Sequence, residues 1–158
     1  ATGSFDVVAD GNQVLSWSSS ENPYRSAGGI LAFSPAPSAF HLWALAKGLS
    51  GVTTDDFDKD GLSDFGEFFL NGDPKDPSSH GHIYHTVTDG WFELTYARPK
   101  DSNPIDTVLV STTLADDDWS SDGVILRNTE PLNDEYDEVT QGVPTLGLDA
   151  IFLRLQIE

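Results

Sequence analysis

Oxygen-bearing side chains recur at regular spacing in the segment from residue 56 to residue 67. Carboxylates occupy positions 1, 3, 5, 9 and 12 of this segment: Asp56, Asp58, Asp60, Asp64 and Glu67. A hard divalent cation such as calcium prefers six to eight oxygen ligands, and this spacing would supply them. Leu62 would add its backbone carbonyl, Glu67 would bind through both oxygens, and Gly61 would allow the sharp turn around the ion. The segment therefore predicts a calcium site formed by Asp56, Asp58, Asp60, Leu62, Asp64 and Glu67.

The spacing of the carboxylates and the glycine at position 6 match a calcium loop of the EF-hand type. The alternative is an acidic, solvated turn, which is common in an acidic protein. Every ligand position agrees with the EF-hand pattern, so the sequence favours the calcium site. Without the ion, four or five carboxylates would repel one another at short range, and we expect the loop to lose its order when calcium is removed.

Three histidines, His80, His82 and His85, occur close together. If the segment is extended, His80 and His82 lie on one face and could bind zinc or copper, whereas His85 points to the opposite face. The alternative is a set of solvent-facing polar residues at the start of a strand. The sequence leaves this second metal site open.

Motifs of common catalytic sites are absent from the sequence, which has no G-x-S-x-G, no HExxH and no P-loop. Its many carboxylates include no pair in a context that would raise one pKa for general acid catalysis. We therefore predict a protein that is not an enzyme. A small stand-alone hydrolase is the least favoured alternative.

Aromatic side chains could form a platform for a carbohydrate, because sugar rings stack on exposed aromatic faces. The candidate ligand-binding rings flank polar loops and turns: Trp17, Tyr24, Trp91, Trp119 and Tyr136. Arg98 could add bidentate polar contacts beside such a ring. Burial in the core is the alternative for each aromatic residue.

One helix is predicted on each side of the acidic loop. An apolar stripe at helical spacing follows the N-cap residue Ser38 and ends near Gly48 or Gly51: Phe40, Trp43, Ala44, Leu45 and Leu49. A second, shorter stripe follows the loop and is closed by Asn71-Gly72: Phe65, Phe68, Phe69 and Leu70. Residues 38–74 thus predict a helix, a calcium loop and a second helix in sequence.

Short alternating runs separated by polar turns make up most of the remaining chain. Strands are predicted at 5–9, 13–17 and 29–33 in the N-terminal part, and at 83–87, 91–96, 107–112, 124–126 and 151–157 beyond it. Turns at Asp10-Gly11-Asn12 and Asp89-Gly90 indicate hairpins. The predicted strands do not alternate with long helices, and this favours antiparallel over parallel sheets. We predict a mainly β protein, an antiparallel β-sandwich with a short helix–calcium loop–helix insertion.

The length fits one module of residues 1–158. It would comprise N-terminal strands in 1–36, the helix–loop–helix in 38–74 and the strands of the sandwich in 80–158. The sequence leaves open whether residues 1–36 belong to this sandwich or to the end of a preceding domain.

The charge of the chain disfavours several classes of partner. It carries 26 acidic and 8 basic residues and a formal net charge of −18. Nucleic acids and anionic membranes would approach against a repulsive field, so neither is an expected partner. The chain has no apolar run of about 18 residues, so we predict no membrane insertion. With no cysteine, it has neither a disulfide framework nor a cysteine-based zinc site.

The segment around the loop resembles a known class of bacterial sequence. Residues 43–51 read WALAKGLSG, the acidic loop follows, and residues 68–74 read FFLNGDP. This is similar to the Asp-rich segments near the C-termini of large secreted bacterial proteins, including those of Planctomycetes and Verrucomicrobia. Thrombospondin type 3 repeats and dockerins carry related loops. In the bacterial proteins a β-rich tail with a terminal FxRL segment follows, and residues 152–155, FLRL, fit that pattern.

A single loop departs from the dockerins and from tandem thrombospondin repeats, and this argues against docking to a cohesin. The resemblance implies a secreted or cell-surface module, covalently linked to the catalytic domain of a polysaccharide-degrading enzyme. The expected function is that of a non-catalytic, calcium-stabilised accessory module that binds a polysaccharide. The alternative is a structural spacer, or an anchoring or protein-interaction domain, without glycan binding.

Overall fold

The computed structural model describes residues 36–100, 105–147 and 150–158, and the strands predicted before residue 36 lie outside these ranges. The helices are α1 (Ala39–Lys47) and α2 (Asp64–Leu70). The strands are β1 (Ile83–Thr88), β2 (Trp91–Pro99), β3 (Asp106–Ser111), β4 (Ile125–Pro131), β5 (Tyr136–Pro144) and β6 (Phe152–Ile157). The prediction of a mainly β protein is confirmed.

Both helices lie where the apolar stripes predict them. The Ser38 hydroxyl caps α1 by accepting a hydrogen bond from His41 N at 3.2 Å, and α1 ends at Gly48. The Ser63 hydroxyl caps α2 in the same way and accepts from Gly66 N at 3.2 Å. These caps satisfy backbone donors that the first turn of a helix leaves unpaired. Within the three described ranges, neither helix has the length and apolar character needed to cross a membrane.

The strands form two antiparallel sheets. Sheet A has the strand order β1-β2-β5-β4, and sheet B pairs β3 with β6. The predicted turn at Asp89-Gly90 joins β1 to β2, and Thr88 pairs with Trp91 directly after it. Asp-Gly between two β-forming runs is thus a correct hairpin signal here.

Strand β5 is missing from the sequence prediction, although it lies between β2 and β4 at the centre of sheet A. It contains Asp137, Glu138 and Gly142, and these residue types are depleted in strands. Strand β4 also extends well beyond the predicted 124–126. Both differences arise because pairing with neighbouring strands outweighs local preference.

Two apolar clusters meet at α2. The first combines side chains of α2 and of both sheets: Phe69, Leu70, Tyr96, Val108 and Val139. The second joins α1 to α2 and to the residues after α1: Phe40, Ala44, Leu49 and Phe68. Phe68 and Phe69 are adjacent in sequence but belong to different clusters. Helix α2 is therefore the element that connects α1 to the sheets.

A polar contact links the two sheets beside the first cluster. The Tyr96 hydroxyl of β2 donates to an Asp106 carboxylate oxygen of β3 at 2.5 Å, and Gln141 Nε2 donates to the same hydroxyl at 2.6 Å. Burial and the Asp106 contact raise the pKa of Tyr96 above its ordinary value. The hydroxyl therefore stays protonated and keeps its role as a donor between the sheets.

Candidate metal centre

The acidic loop runs from the segment after α1 into the first turn of α2, and its two ends are joined by hydrogen bonds. Asp64 N donates to Asp55 O at 2.7 Å. Phe57 N donates to Asp64 Oδ1 at 2.9 Å. Asp64 is only 2% exposed, and through this hydrogen bond its buried carboxylate connects the two ends of the loop. One Asp64 oxygen is engaged in this way, which leaves the other for the contact with the ion that the sequence predicts.

Backbone amides inside the loop hold the carboxylates in place. Asp56 accepts hydrogen bonds from Lys59 N at 2.7 Å and from Gly61 N at 3.0 Å. Asp60 Oδ1 accepts from Leu62 N at 2.7 Å. Gly61 has φ +100°, a conformation that side-chain-bearing residues rarely adopt, so glycine at this position permits the turn.

The first three aspartates converge on one point. Asp56, Asp58 and Asp60 each offer a carboxylate oxygen, and these oxygens lie within 4.8 Å of one another. Asp58 Oδ2 and Asp60 Oδ2 are buried and accept no hydrogen bond. Asp60 Oδ2 lies 3.3 Å from His80 Nδ1, but the two atoms do not have hydrogen-bond geometry. This group could hold a metal ion.

Glu67 lies in α2, and its carboxylate is the most unusual group of the loop. The residue is fully buried, and neither carboxylate oxygen has a hydrogen-bond partner. Burial, and the negative charges of Asp58, Asp60 and Asp64, raise the pKa of Glu67 from 4.5 to about 7. A buried carboxylate without a partner is costly, because it loses the solvation that water provides. A cation beside it would remove that cost.

Leu62 connects the loop to the fold through its side chain. It packs against the first apolar cluster. Gly66 leaves the space for it, since a Cβ atom there would lie 2.6 Å from Leu62 Cδ1. The position that the sequence assigns to a backbone carbonyl ligand is therefore anchored to the core.

The residues present fit a hard cation. The available donors are the carboxylate oxygens of five residues in one loop. Four of these residues have at least one carboxylate oxygen that accepts no hydrogen bond within the protein: Asp58, Asp60, Asp64 and Glu67. Burial, and then the neighbouring Asp60 and Asp56 charges, also raise the pKa of Asp58. Mutual repulsion and missing partners within one loop are what a bound divalent cation would relieve.

The histidines do not come together in the structure. His80 lies beside Asp60, and His82 Nε2 lies 2.5 Å from Glu138 Oε2 across sheet A. His85 lies in β1 with its ring against an aromatic side chain of β2. Strand β1 begins only at residue 83, so the alternation assumed for residues 80 and 82 does not apply. Among the described residues, the group that could hold a metal is that of the three aspartates.

Trp91 and Trp119, two of the predicted ligand-binding tryptophans, lie in different parts of the fold, and each ring is covered by an arginine. Trp91 opens β2, and the Arg127 guanidinium carbon lies 4.1 Å from the centre of its ring. Trp119 follows β3, and the Arg154 guanidinium carbon lies 4.4 Å from its ring centre. Both indoles are half-buried. The structure therefore does not bring them into one platform.

The remaining predicted ligand-binding residues have other positions. Trp17 and Tyr24 lie outside the described residues. Arg98 is in β2 seven residues after Trp91, so the two side chains point to opposite faces, and Arg98 Nη1 lies 3.8 Å from Asp106 Oδ1. Trp91 is therefore not the ring beside Arg98, and the proposed part of Arg98 in ligand binding stays a prediction. Tyr136 is a core residue, and its hydroxyl donates to Phe68 O at 2.7 Å.

The sequence does not indicate several neighbours of these residues. Arg127 over Trp91, and Arg154 over Trp119, come from strands distant in sequence, and no local signal identifies them. The charge of Asp73 also contributes to the raised pKa of Glu67. Its position six residues after Glu67, in the Asp-Pro pair that ends the helix–loop–helix segment, is the signal that could have placed it near the loop.

Comparisons with known proteins gave no matching family model, no similar curated protein and no similar solved structure. What the loop and the sheets do is therefore inferred from their geometry.

Proposed function

We propose that this chain is a non-catalytic module whose fold is stabilised by a calcium ion bound in the loop from residue 56 to residue 67. The observation that supports it best is the Glu67 carboxylate, fully buried with both oxygens unpaired in a loop that already holds converging aspartates. An ion bound there would convert a destabilising set of charges into the ligands of one centre.

Calcium fits this centre better than other common ions. All the side-chain donors are carboxylate oxygens, which suit calcium, magnesium and manganese rather than copper or zinc. Glu67 at the twelfth position offers two oxygens, and a bidentate carboxylate is accommodated by the flexible, seven-fold type of coordination that calcium adopts. Magnesium demands a stricter octahedron and keeps several waters, so a loop rich in carboxylates favours calcium.

The ion would act on the whole fold because of where Glu67 lies. Its helix contributes Phe68 to the cluster with α1 and Phe69 to the cluster with the sheets. We propose that sheets A and B pack face to face as a sandwich around the first apolar cluster, to which Phe69 belongs. Support comes from Tyr96 and Val139 of sheet A and Val108 of sheet B, which are buried together. Calcium would then fix α2 against the sandwich.

A non-catalytic role agrees with the distribution of perturbed carboxylates. In the described ranges, the carboxyl groups with raised pKa are Asp58 and Glu67, both in the loop. The pKa of Asp118 is lowered instead, because the hydroxyls of residues 111–113 and the backbone amides of Thr112 and Thr113 donate to it. General acid catalysis at neutral pH needs a raised pKa in a substrate cleft, and the loop carboxylates are assigned to the ion.

We further propose that the module is part of a secreted or cell-surface polysaccharide-degrading enzyme, to whose catalytic domain it is covalently linked, and that it binds polysaccharide. The sequence resemblance supports the first part, and the half-buried Trp91 beside Arg127 supports the second. A spacer, anchoring or protein-interaction domain is the alternative. It is favoured by Tyr136, whose ring is buried, and by the separation of Trp119 from Trp91.

Calcium titration of the chelator-treated protein tests the central proposal. Calorimetry should show one site, and the melting temperature should rise with calcium, since an ion at 100 times its Kd stabilises the native state by about 2.7 kcal/mol. Asp58→Asn should weaken binding, whereas Asp122→Asn, which removes an aspartate from a turn outside the loop, should not. Magnesium at the same concentration should be a poorer ligand. A melting temperature that does not respond to millimolar calcium would rule the proposal out.

A further inference from the structure

The outer face of sheet A carries a row of side chains that belong neither to the acidic loop nor to the two apolar clusters. Leu94, Tyr96 and Val139 contribute to the first apolar cluster and define the inner face. Side chains alternate along a strand, so Trp91 and Glu93 of β2 point to the opposite, outer face. Residues paired directly across the sheet share a face, which extends the row to β1 and β5.

One end of this outer face is a fixed group of an aromatic ring, a cation and a carboxylate. Arg127 lies over the Trp91 ring at 4.1 Å, and its Nε donates to Glu93 Oε1 at 3.1 Å. Thr86 of β1 donates to the other Glu93 oxygen at 3.3 Å. Gly142 of β5 pairs with Glu93 and has no side chain, so the arginine of β4 can reach across β5 to β2.

The other end of the outer face carries a second ring. Tyr84 of β1 is 45% exposed and pairs with Thr95 of β2. Its hydroxyl donates to Glu138 Oε2 at 3.3 Å, and His82 holds the same oxygen. Thr95 lies four residues after Trp91, so the two rings are offset by about 13 Å along the strand direction. A single sugar ring could not contact both.

We propose that the outer face of sheet A, with Trp91 and Tyr84 as its two rings, binds an extended, uncharged polysaccharide chain. This inference rests on the proposed glycan-binding function and locates it. Apolar C–H faces of the sugar would stack on the exposed Tyr84 ring and pack against the part of the half-buried Trp91 ring that Arg127 leaves uncovered. The remaining guanidinium donors of Arg127 would bind sugar hydroxyls. The carboxylates of Glu93 and Glu138 would accept from other hydroxyls.

Two properties of the face determine the class of ligand. Its side chains already hold one another, so little side-chain freedom would be lost on binding. Its carboxylates and the net charge of −18 repel polyanions, so an uncharged chain is favoured over an acidic polysaccharide such as alginate. Trp119 lies after β3 and not on this face, and it takes no part.

The test uses the full chain in calcium with hexasaccharides of cellulose, xylan and mannan, and with an alginate hexasaccharide. Binding is followed by calorimetry and by tryptophan fluorescence. We expect at least one neutral oligosaccharide to bind, and Trp91→Ala to lower its affinity by about tenfold or more, as removal of an aromatic anchor does. Tyr84→Ala, at an exposed site that tolerates truncation, should weaken the same ligand.

Trp119→Ala is the matched control, since it removes a half-buried indole that is also covered by an arginine, and it should leave the affinity unchanged. Melting temperatures in calcium establish that each variant is folded. If Trp119→Ala abolishes binding while Trp91→Ala and Tyr84→Ala retain it, the location is wrong and glycan binding survives. If a folded, calcium-bound protein binds none of the neutral ligands, or only alginate, the inference is overturned and the calcium proposal stands.

Discussion

Replacing Glu67 with glutamine should stabilise the calcium-free protein and destabilise the calcium-bound one. Glutamine has nearly the same shape but no charge. In the calcium-free chain the Glu67 carboxylate is buried without a hydrogen-bond partner, and the charges of Asp58 and Asp60 oppose its ionisation. Removing that charge removes the repulsion. With calcium bound, the same charge is a ligand, and its loss weakens the site.

The size of the calcium-free effect follows from the pKa. Folding raises the pKa of Glu67 from 4.5 to about 7. At 1.36 kcal/mol per pKa unit, this is up to about 3 kcal/mol of destabilisation once the group is ionised in both states. For an acid whose pKa is raised by folding, stability is full below pH 4.5 and is lost as the pH rises through 7. Glu67→Gln lacks this loss, so its melting temperature without calcium should be about 6–12 °C higher at pH 8.

The calcium-bound effect has the opposite sign. Removing one member of a buried, paired set of charges costs about 3–5 kcal/mol, which corresponds to about a hundredfold or more in affinity. Glu67→Gln should therefore bind calcium at least about a hundredfold more weakly, and most of the rise in melting temperature with calcium should disappear.

Differential scanning calorimetry at pH 5 and pH 8, with calcium and with a chelator, measures both effects on one pair of proteins. Glu135→Gln, at an exposed glutamate outside the loop, is the matched control and should follow the wild type in all four conditions. A variant that is less stable than the wild type in chelator at pH 8 would show that the Glu67 carboxylate is not repelled by its neighbours. Unchanged calcium affinity would show that Glu67 is not a ligand.

Two further predictions concern the fold outside the loop. Gly81→Ala should destabilise the protein by about 1–3 kcal/mol, measured by urea unfolding. Gly81 has φ +69°, and a Cβ atom there would lie 2.5 Å from Leu70 Cβ at the end of α2. Gly123→Ala, at φ +79° with no atom within 4 Å, isolates the backbone contribution and should cost less. Asp118→Asn should lower stability at neutral pH and flatten the acid side of the stability curve. The pKa of Asp118 is lowered by folding, so its contribution is present above the ordinary value of 3.8 and is lost as the pH falls. Asp116→Asn removes a nearby charge and should keep the acid dependence of the wild type.

The elements that the sequence predicted well are those with strong local signals. The helices have apolar stripes and hydroxyl caps at Ser38 and Ser63, and the hairpin of β1 and β2 has Asp-Gly at its turn. The convergence of Asp56, Asp58 and Asp60 could be predicted because their spacing along one segment brings the three carboxylates together, whereas their role as calcium ligands stays a prediction. Strand β5 could not be predicted, because its partners on both sides lie elsewhere in the chain and its own residue types are poor strand formers.

The same distinction applies to side-chain contacts. The carboxylates of the loop are neighbours in sequence, so the sequence indicates that they converge. The stacking of Arg127 on Trp91 depends instead on the order of the strands in sheet A, which the alternation of apolar and polar residues does not specify. The opposite directions of Arg98 and Trp91 follow from the sequence once both are known to lie on strand β2. An odd separation along one strand places two side chains on opposite faces.

The position of Glu67 explains why one ion could matter to the whole module. A ligand on a mobile loop could be lost with only local effects. Glu67 instead lies on a helix whose next two residues, Phe68 and Phe69, belong to the two separate apolar clusters. Phe68 also packs against Trp43 of α1, with ring centres 5.5 Å apart. Because Glu67 is fully buried, a shift of this helix that moved the repelled carboxylate away from its neighbours would cost both clusters contacts. Charge repulsion in the loop and apolar packing in the core are thus coupled through one short helix, so a cation that relieves the first would also stabilise the second.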